Sequence, residues 1–199
     1  SLAVADYNGD GVLDLFLGQS YNTTTSLRGN SKVYTGDGTG NLTLATTLSD
    51  TMTGGVILPV DWNMDGKMDV FELPDNGSYS TTLNKVTGYQ LWLNTTATSG
   101  AAPTFSLNNL DVSSATTGII SAVAADFDWD GARDLIINAN GSDVFVRNTN
   151  SIAEGSCIHL KILNPFGFNS FISQTVQLYD DTGALVATRV VNPQYGYGT

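Results

Sequence analysis

The sequence predicts an all-β fold: a partial β-propeller of three repeated antiparallel units, followed by a small β domain. Three observations predict it. The first is an acidic nine-residue pattern that occurs at Asp6–Asp14, Asp61–Asp69 and Asp126–Asp134, with starts 55 and 65 residues apart. The second is that every copy is flanked by short stretches rich in Val, Ile, Leu and Phe, too short for helices and suited to paired strands. The third is that no stretch holds a 3.6-residue apolar period for three turns. Short antiparallel strands, about four per unit, recurring every ~55–65 residues are the signature of propeller blades.

Taken in order, Leu2–Ala5 and Leu15–Leu17 are read as the strands around the first acidic loop, Val56–Val60 and Val70–Leu73 as those around the second, and Ile119–Ala125 and Leu135–Ile137 as those around the third. Third strands are expected at Lys32–Tyr34, Tyr89–Leu93 and Asp143–Val146, and fourth strands at Asn41–Leu44 and Thr104–Leu107. Gly-, Thr- and Ser-rich turns separate them. The blades therefore span about 1–50, 51–113 and 114–151. Residues 152–199 carry no acidic loop of this kind. There Cys157–Leu163, Thr175–Tyr179 and Leu185–Val191 read as strands, the last two joined by a hairpin turn at Asp180-Asp181-Thr182-Gly183.

Charge and composition exclude several classes. Eight Lys and Arg against nineteen Asp and Glu give a formal charge of −11, with only 14% of residues charged and 41% apolar. That is a folded composition, acidic because basic residues are scarce. A surface of this sign repels phosphate backbones, so no nucleic-acid partner is expected. No apolar run approaches the ~20 residues of a membrane helix, so no span is expected in this segment. A lone Cys157 and a lone His159 leave little material for zinc, haem or a Ser-His-Asp triad. Cys157 is expected to be a buried small hydrophobe and His159 to be structural. The opening residues Ser1–Ala5 read as strand interior, which suggests a piece of a longer polypeptide.

The acidic loops carry the chemistry. Oxygen-bearing side chains at positions 1, 3, 5 and 9, with Gly at 6, describe a cage for a hard cation. Calcium takes six to eight oxygens at ~2.3–2.6 Å, and the Gly permits the sharp turn. The expected ligands are Asp6, Asn8, Asp10 and Asp14 with the Val12 carbonyl; Asp61, Asn63, Asp65 and Asp69 with the Lys67 carbonyl; and Asp126, Asp128, Asp130 and Asp134 with the Ala132 carbonyl. The loops hold three, three and four of the nineteen acidic residues, a costly concentration unless a cation neutralises it. Three Ca2+ would move the net charge from −11 to −5. Mg2+ fits less well, since it demands a tighter octahedron. Ordinary turns with solvated charges are the competing reading, and three copies at one spacing weigh against it. An EF-hand needs Glu at position 12; only the middle loop has one, Glu72, which reads as a strand residue, while the others carry Leu17 and Ile137.

Asp-Tyr-Asn-Gly-Asp-Gly-Val-Leu-Asp-Leu and its two partners resemble the FG-GAP/VCBS repeats of integrin-α-like β-propellers over roughly residues 1 to 150. Val33–Leu42 is similar to the stretch leading into the outer strands of such a blade. The resemblance implies a calcium-bound extracellular propeller of about seven blades, used in adhesion, glycan binding or as an accessory to enzymes, with the missing blades N-terminal to Ser1. Gly167-Phe168-Asn169, Gln177–Gly183, Arg189-Val190-Val191 and Gly196-Tyr197-Gly198 resemble the ASPIC/UnbV domain of cartilage acidic protein-like sequences. That segment departs from the pattern at Ser173-Gln174, where a Gly-Ala pair is expected, and stops where the family would continue. Asn164-Pro165-Phe166-Gly167 resembles the T-cell immunomodulatory protein type of FG-GAP protein.

The functional expectation is a non-enzymatic extracellular or cell-surface module, binding another protein or assembling with itself. No catalytic pair is expected, because the clustered carboxylates belong to the loops. The Thr/Asn/Ser-rich stretches Tyr21–Arg28 and Ser78–Lys85 are the expected contact surfaces. A glycan-binding propeller is the alternative, with Trp62 or Trp129 stacking on sugars, and an accessory part of a larger secreted enzyme is a third reading. Tyr7, Trp62, Phe127 and Trp129 are otherwise expected to pack against the neighbouring blade. Sequons at Asn22, Asn41, Asn76, Asn94 and Asn140 permit N-glycosylation. Arg28, Arg133, Arg147 and Arg189 are candidate anion clamps that nothing in the sequence ranks.

Overall fold

The computed structural model describes residues 1–18, 21–22, 27–49, 54–74, 90–108, 119–139, 142–150, 160, 165 and 174–191. The first unit contains β1 (Leu2–Ala5), β2 (Asp14–Leu17), a small hairpin of β3 (Tyr21–Asn22) and β4 (Leu27–Arg28), then β5 (Lys32–Gly36) and β6 (Leu42–Thr47). The second has β7 (Gly54–Val60), β8 (Asp69–Pro74), β9 (Gln90–Asn94) and β10 (Phe105–Asn108), and the third β11 (Ile119–Ala125), β12 (Asp134–Ala139) and β13 (Ser142–Val146). A C-terminal hairpin follows, β14 (Thr175–Tyr179) and β15 (Leu185–Val190). The fold is all-β and propeller-like, and among the described residues no helix is long and apolar enough to cross a membrane.

Each unit is an antiparallel meander, ordered β1-β2-β5-β6, β7-β8-β9-β10 and β11-β12-β13. The acidic loop is always the first connection, so it closes the pair β1/β2, β7/β8 or β11/β12. The first strands neighbour one another, β7 lying between β1 and β11, which stacks the sheets face to face.

Strand alternation divides the core between two interfaces. Ile57, Val70 and Trp92 of the second sheet meet Ala3, Ala5, Tyr7, Phe16 and Val33 of the first. From its other face, Leu58, Val60, Phe71 and Leu91 meet Ala124, Leu135 and Ile137 of the third. A single middle sheet thus feeds both interfaces, and Glu72 on β8 is buried with Ser31 Oγ donating to one oxygen at 3.0 Å and Trp92 Nε1 to the other at 3.2 Å. Glu72 is a strand residue, as expected.

The aromatics at loop positions 2 and 4 divide. Tyr7 and Trp62 are buried at 1% and 7% exposure, and Trp62 meets Phe71 edge-on at 4.8 Å. Phe127 is 42% exposed on the outer face of the third sheet, stacked edge-on to Phe145 at 6.0 Å, and Trp129 is 72% exposed. The expectation that all four pack on a neighbouring blade holds for two. Phe127 lies with Phe145 on the face opposite Val144 and Val146, the side of the third sheet away from the second.

The expected hairpin turn at Asp180–Gly183 is present, with Asp180 Oδ1 accepting from Thr182 N, Thr182 Oγ1 and Ala184 N. Asp37 builds the same Asp-x-Thr-Gly turn between β5 and β6. The hydroxyl and amide donors hold both carboxyls below the usual carboxylate range. The strand expected at Cys157–Leu163, with Cys157 and His159, lies outside the described residues except for Leu160, which is exposed and not in a strand. The proposed contact loop Ser78–Lys85 is also outside them, while Tyr21–Arg28 contributes the β3/β4 hairpin.

Candidate cation-binding loops

The three loops share one backbone geometry. Position 1 accepts from the position 6 amide: Gly11 N to Asp6 Oδ2 at 2.9 Å, Gly66 N to Asp61 Oδ2 at 3.1 Å and Gly131 N to Asp126 Oδ2 at 2.9 Å. Position 3 accepts from the position 5 amide at Asn8, Asn63 and Asp128. Position 5 accepts from the position 7 amide, so Val12, Lys67 and Ala132 each donate N–H to Asp10, Asp65 and Asp130 at 2.8, 2.9 and 2.9 Å. These bonds turn the chain back on itself every second residue and place positions 1, 3 and 5 on one side.

The residue at position 4 must turn left-handed: Gly9 has φ 73°, but Met64 and Trp129 stand there at 60° and 64°. L side chains pay steric strain in that region, so two of the loops are held against their residue preference.

Position 9 is the joint of each blade. One oxygen of Asp14 accepts from Tyr7 N at 2.8 Å and the other from Gly36 N at 3.0 Å. Asp69 bonds Trp62 N and Asn94 N, and Asp134 bonds Phe127 N and Asn148 N, in the same way. The carboxylate therefore ties its own loop to the third strand. Burial pushes the Asp14 and Asp69 carboxyls up to about 6 despite the amides that oppose it. Oδ2 of Asp14 and of Asp69 also accepts from the position 3 amide, Asn8 N at 3.2 Å and Asn63 N at 3.4 Å, so it is Oδ1, with one donor, that keeps a lone pair for a cation.

The loops are also where one blade grips the next. Asn94 Nδ2 reaches from the end of β9 to the carbonyls of Tyr7 at 2.8 Å and Met68 at 3.1 Å, and Gly100 N donates to Asn8 O at 2.9 Å. Asn148 and Asn150 Nδ2 donate to Trp62 O at 2.9 and 3.0 Å. These asparagines are functional residues that sequence reasoning missed. Their signal is the Asn-Thr that follows the third strand in Leu93-Asn94-Thr95 and Arg147-Asn148-Thr149; the first unit has Gly36 at the equivalent place. Asn94 is 2% exposed with its amide engaged, so its sequon is not available to a glycan.

Two arginines meet the loops. Arg147, beside β13, sits on Asp128 Oδ2 at 2.6 Å with Asp130 at 3.6 Å. Arg189 on β15 donates from Nη2 to Asp61 Oδ2 at 2.8 Å and to Gly66 O at 3.2 Å. Both act as partners of carboxylates within the chain. Burial raises the Asp61 carboxyl, with the Arg189 guanidinium pulling the other way.

Ligand convergence differs between loops. Asp126, Asp128 and Asp130 bring carboxylate oxygens within 4.8 Å of one another. Asp61 Oδ1 and Asp126 Oδ1 are buried and accept no hydrogen bond. In the first loop Asp6 has both oxygens engaged, by Gly9 N at 2.7 Å and by Gly11 N.

Stacked antiparallel sheets, each opening on an Asp-rich loop, define a propeller-like repeat protein. Residues 6–72, from the first loop through the second, match the FG-GAP-like repeat family, over about a third of the chain. The chain carries an FG-GAP-like repeat. No curated protein matches it.

Proposed function

We propose that the chain is a calcium-stabilised, non-enzymatic extracellular module whose propeller-like blades present surfaces for binding another protein, for adhesion or for extracellular assembly. The FG-GAP-like repeat supports the interaction role, since such repeats build β-propeller interaction modules. One observation carries the calcium reading: the position 1 oxygens Asp61 Oδ1 and Asp126 Oδ1 are buried without a donor. A buried anionic oxygen without a partner is costly, and a hard cation relieves that cost directly. Asp126, Asp128 and Asp130 fit such an ion, with the Ala132 carbonyl and Asp134 completing an oxygen set. Asp61, Asn63, Asp65, Lys67 O and Asp69 would hold a second, and Asp6, Asn8, Asp10, Val12 O and Asp14 a third.

When bound, the ion supplies positive charge that neutralises the loop carboxylates. The first and second loops are clasped by the next blade through Asn94 and Asn148, so ordering either loop fixes the angle between blades and not only the hairpin within one. The outer apolar faces, Leu2 and Val4 on one side and Phe127 and Phe145 on the other, suit packing against further blades. The β14/β15 hairpin belongs, in this reading, to an ASPIC/UnbV-like domain over residues 152–199. Calorimetric titration of Ca2+ into the EDTA-stripped chain tests the reading: binding at the loops, lost stepwise in Asp6→Ala, Asp61→Ala and Asp126→Ala, supports it, and no binding overturns it.

A glycan-binding role is favoured by one observation, the outward position of Trp129 at the tip of the third loop. Trp62 is buried and has no face to offer a sugar. Binding on a glycan array that Trp129→Ala abolishes would establish that role in place of a purely protein-binding one.

A further inference from the structure

We propose that Arg189 is the resident counter-charge of the second loop, and that the β14/β15 hairpin is a latch which a divalent cation entering that loop loosens. The inference rests on the calcium reading above. Asp61 and Arg189 are 128 residues apart in sequence. The guanidinium takes the outward oxygen Oδ2 at 2.8 Å and the Gly66 carbonyl at 3.2 Å, and Nη1 is braced by the Thr188 carbonyl at 3.0 Å. The other oxygen, Oδ1, is buried and accepts nothing.

A cation on Oδ1 would share one carboxylate with the guanidinium. With metal–oxygen distances of ~2.4 Å, charges of +2 and +1 then lie on the order of 5–6 Å apart, inside the ~8–10 Å over which salt screens. Each therefore weakens the other's hold on Asp61. That coupling is reciprocal: a docked Arg189 lowers cation affinity at the loop, and a bound cation lowers the docking of the hairpin.

Among the described residues the hairpin's other contacts are with β1 and with the first loop. Gln177 Nε2 donates to Gly11 O at 3.1 Å, and Leu185 lies against Gly11 of the first loop. Arg189 borders a cavity of about 60 Å³ lined also by Val4, Pro59, Asp61, Met68, Arg133 and Val190, and the Thr188 hydroxyl is buried at 4% exposure without a partner. Leu178, Tyr179 and Val186 of the hairpin are exposed. An exposed hairpin anchored through a charged pair is a candidate for local opening, and its docking follows the fate of that anchor.

The other loops lack this linkage. Arg147 neutralises the third loop from the same blade, one residue past the end of β13 and 59% exposed, so its displacement frees no separate element. At the first loop the hairpin contact is the Gln177 amide on a carbonyl, with no charge to compete with a cation.

The test combines calcium calorimetry with amide hydrogen exchange across residues 174–191 of the intact chain, for wild type, Arg189→Gln and Arg189→Lys. The expected result is one wild-type site about tenfold weaker than the others. Arg189→Gln restores its affinity, Arg189→Lys does so partly or not at all, and exchange in 185–190 rises in wild type as the weak site fills. Equal affinities in wild type and Arg189→Gln, with hairpin exchange unchanged by calcium, would overturn the latch while leaving the calcium reading intact. No calcium binding to any of the three proteins would overturn both. The exchange measurement on wild type stands without either variant.

Discussion

Asn94 donates its side-chain amide to the carbonyl of Tyr7, 87 residues earlier, at 2.8 Å and in full burial. The bond joins the end of the third strand of one blade to the acidic loop of the blade before it. Because Asn94 Nδ2 also serves Met68 O and its Oδ1 accepts from Thr96 N at 3.0 Å, one side chain closes three backbone groups. Asn94→Ala leaves them buried and unpaired. It is expected to destabilise by about 2–3 kcal/mol, and Asn148→Ala by a similar amount, measured as a lower urea midpoint with unchanged slope. Asn150→Ala, at a half-buried bond to the same Trp62 carbonyl, should cost less.

Acid should stabilise the cation-free protein. Asp14 and Asp69 are pushed up to about 6 in the folded state, above the ordinary carboxylate value of the unfolded chain. The folded state then binds more protons between about pH 4 and 6, so the stability these groups contribute is full below that window and is lost as pH rises through it. EDTA-treated protein is expected to melt higher at pH 5 than at pH 7.5, by on the order of 1 kcal/mol or more for each group. Saturating calcium should reverse the trend, because the ion requires the ionised carboxylates. Melting temperatures at the two pH values, with and without calcium, check the sign.

Backbone geometry separates two glycines. A Cβ on Gly36 would lie 2.2 Å from the Leu13 carbonyl oxygen, whereas Gly66, at φ 89°, has open space around it. Gly36→Ala is expected to cost about 2 kcal/mol or more by displacing backbone, and Gly66→Ala about 1 kcal/mol by left-handed strain alone. The converse change, Met64→Gly, relieves strain at φ 60° and should stabilise by up to about 1 kcal/mol. Denaturant unfolding of the three variants orders them.

The two tryptophans of the loops should separate stability from surface function. Trp62→Ala removes a side chain packed on Phe71 and is expected to cost about 3–5 kcal/mol. Trp129→Ala, at an exposed position, should leave the melting temperature nearly unchanged while altering any binding that uses the loop tip.

The repeat, the strand flanks and the loop turns were legible in the sequence because each is local: a spacing, an alternation, an Asp accepting from an amide two residues on. Glu72 fell in a strand as read, and Asp14 and Asp69 open β2 and β8, one residue before the strands expected there. What the sequence concealed is non-local. Arg189 on Asp61 and Asn148 on Trp62 are pairs that only the stacking of sheets brings together, and Trp62 is buried because it joins the core between the second and third sheets, whereas Trp129, at position 4 of its loop, is exposed. The glycan sites divide for the same reason, Asn94 being buried by the blade contact it makes.

Thermal unfolding of the EDTA-stripped chain, repeated in excess calcium, tests the central claim most directly. If the acidic loops hold cations that stiffen the joints between blades, a concentration 100 times the dissociation constant adds about 2.7 kcal/mol per site. The melting temperature should then rise with calcium, and less so in Asp126→Ala. A melting curve that does not move with calcium would contradict the account and leave the loops as solvated turns.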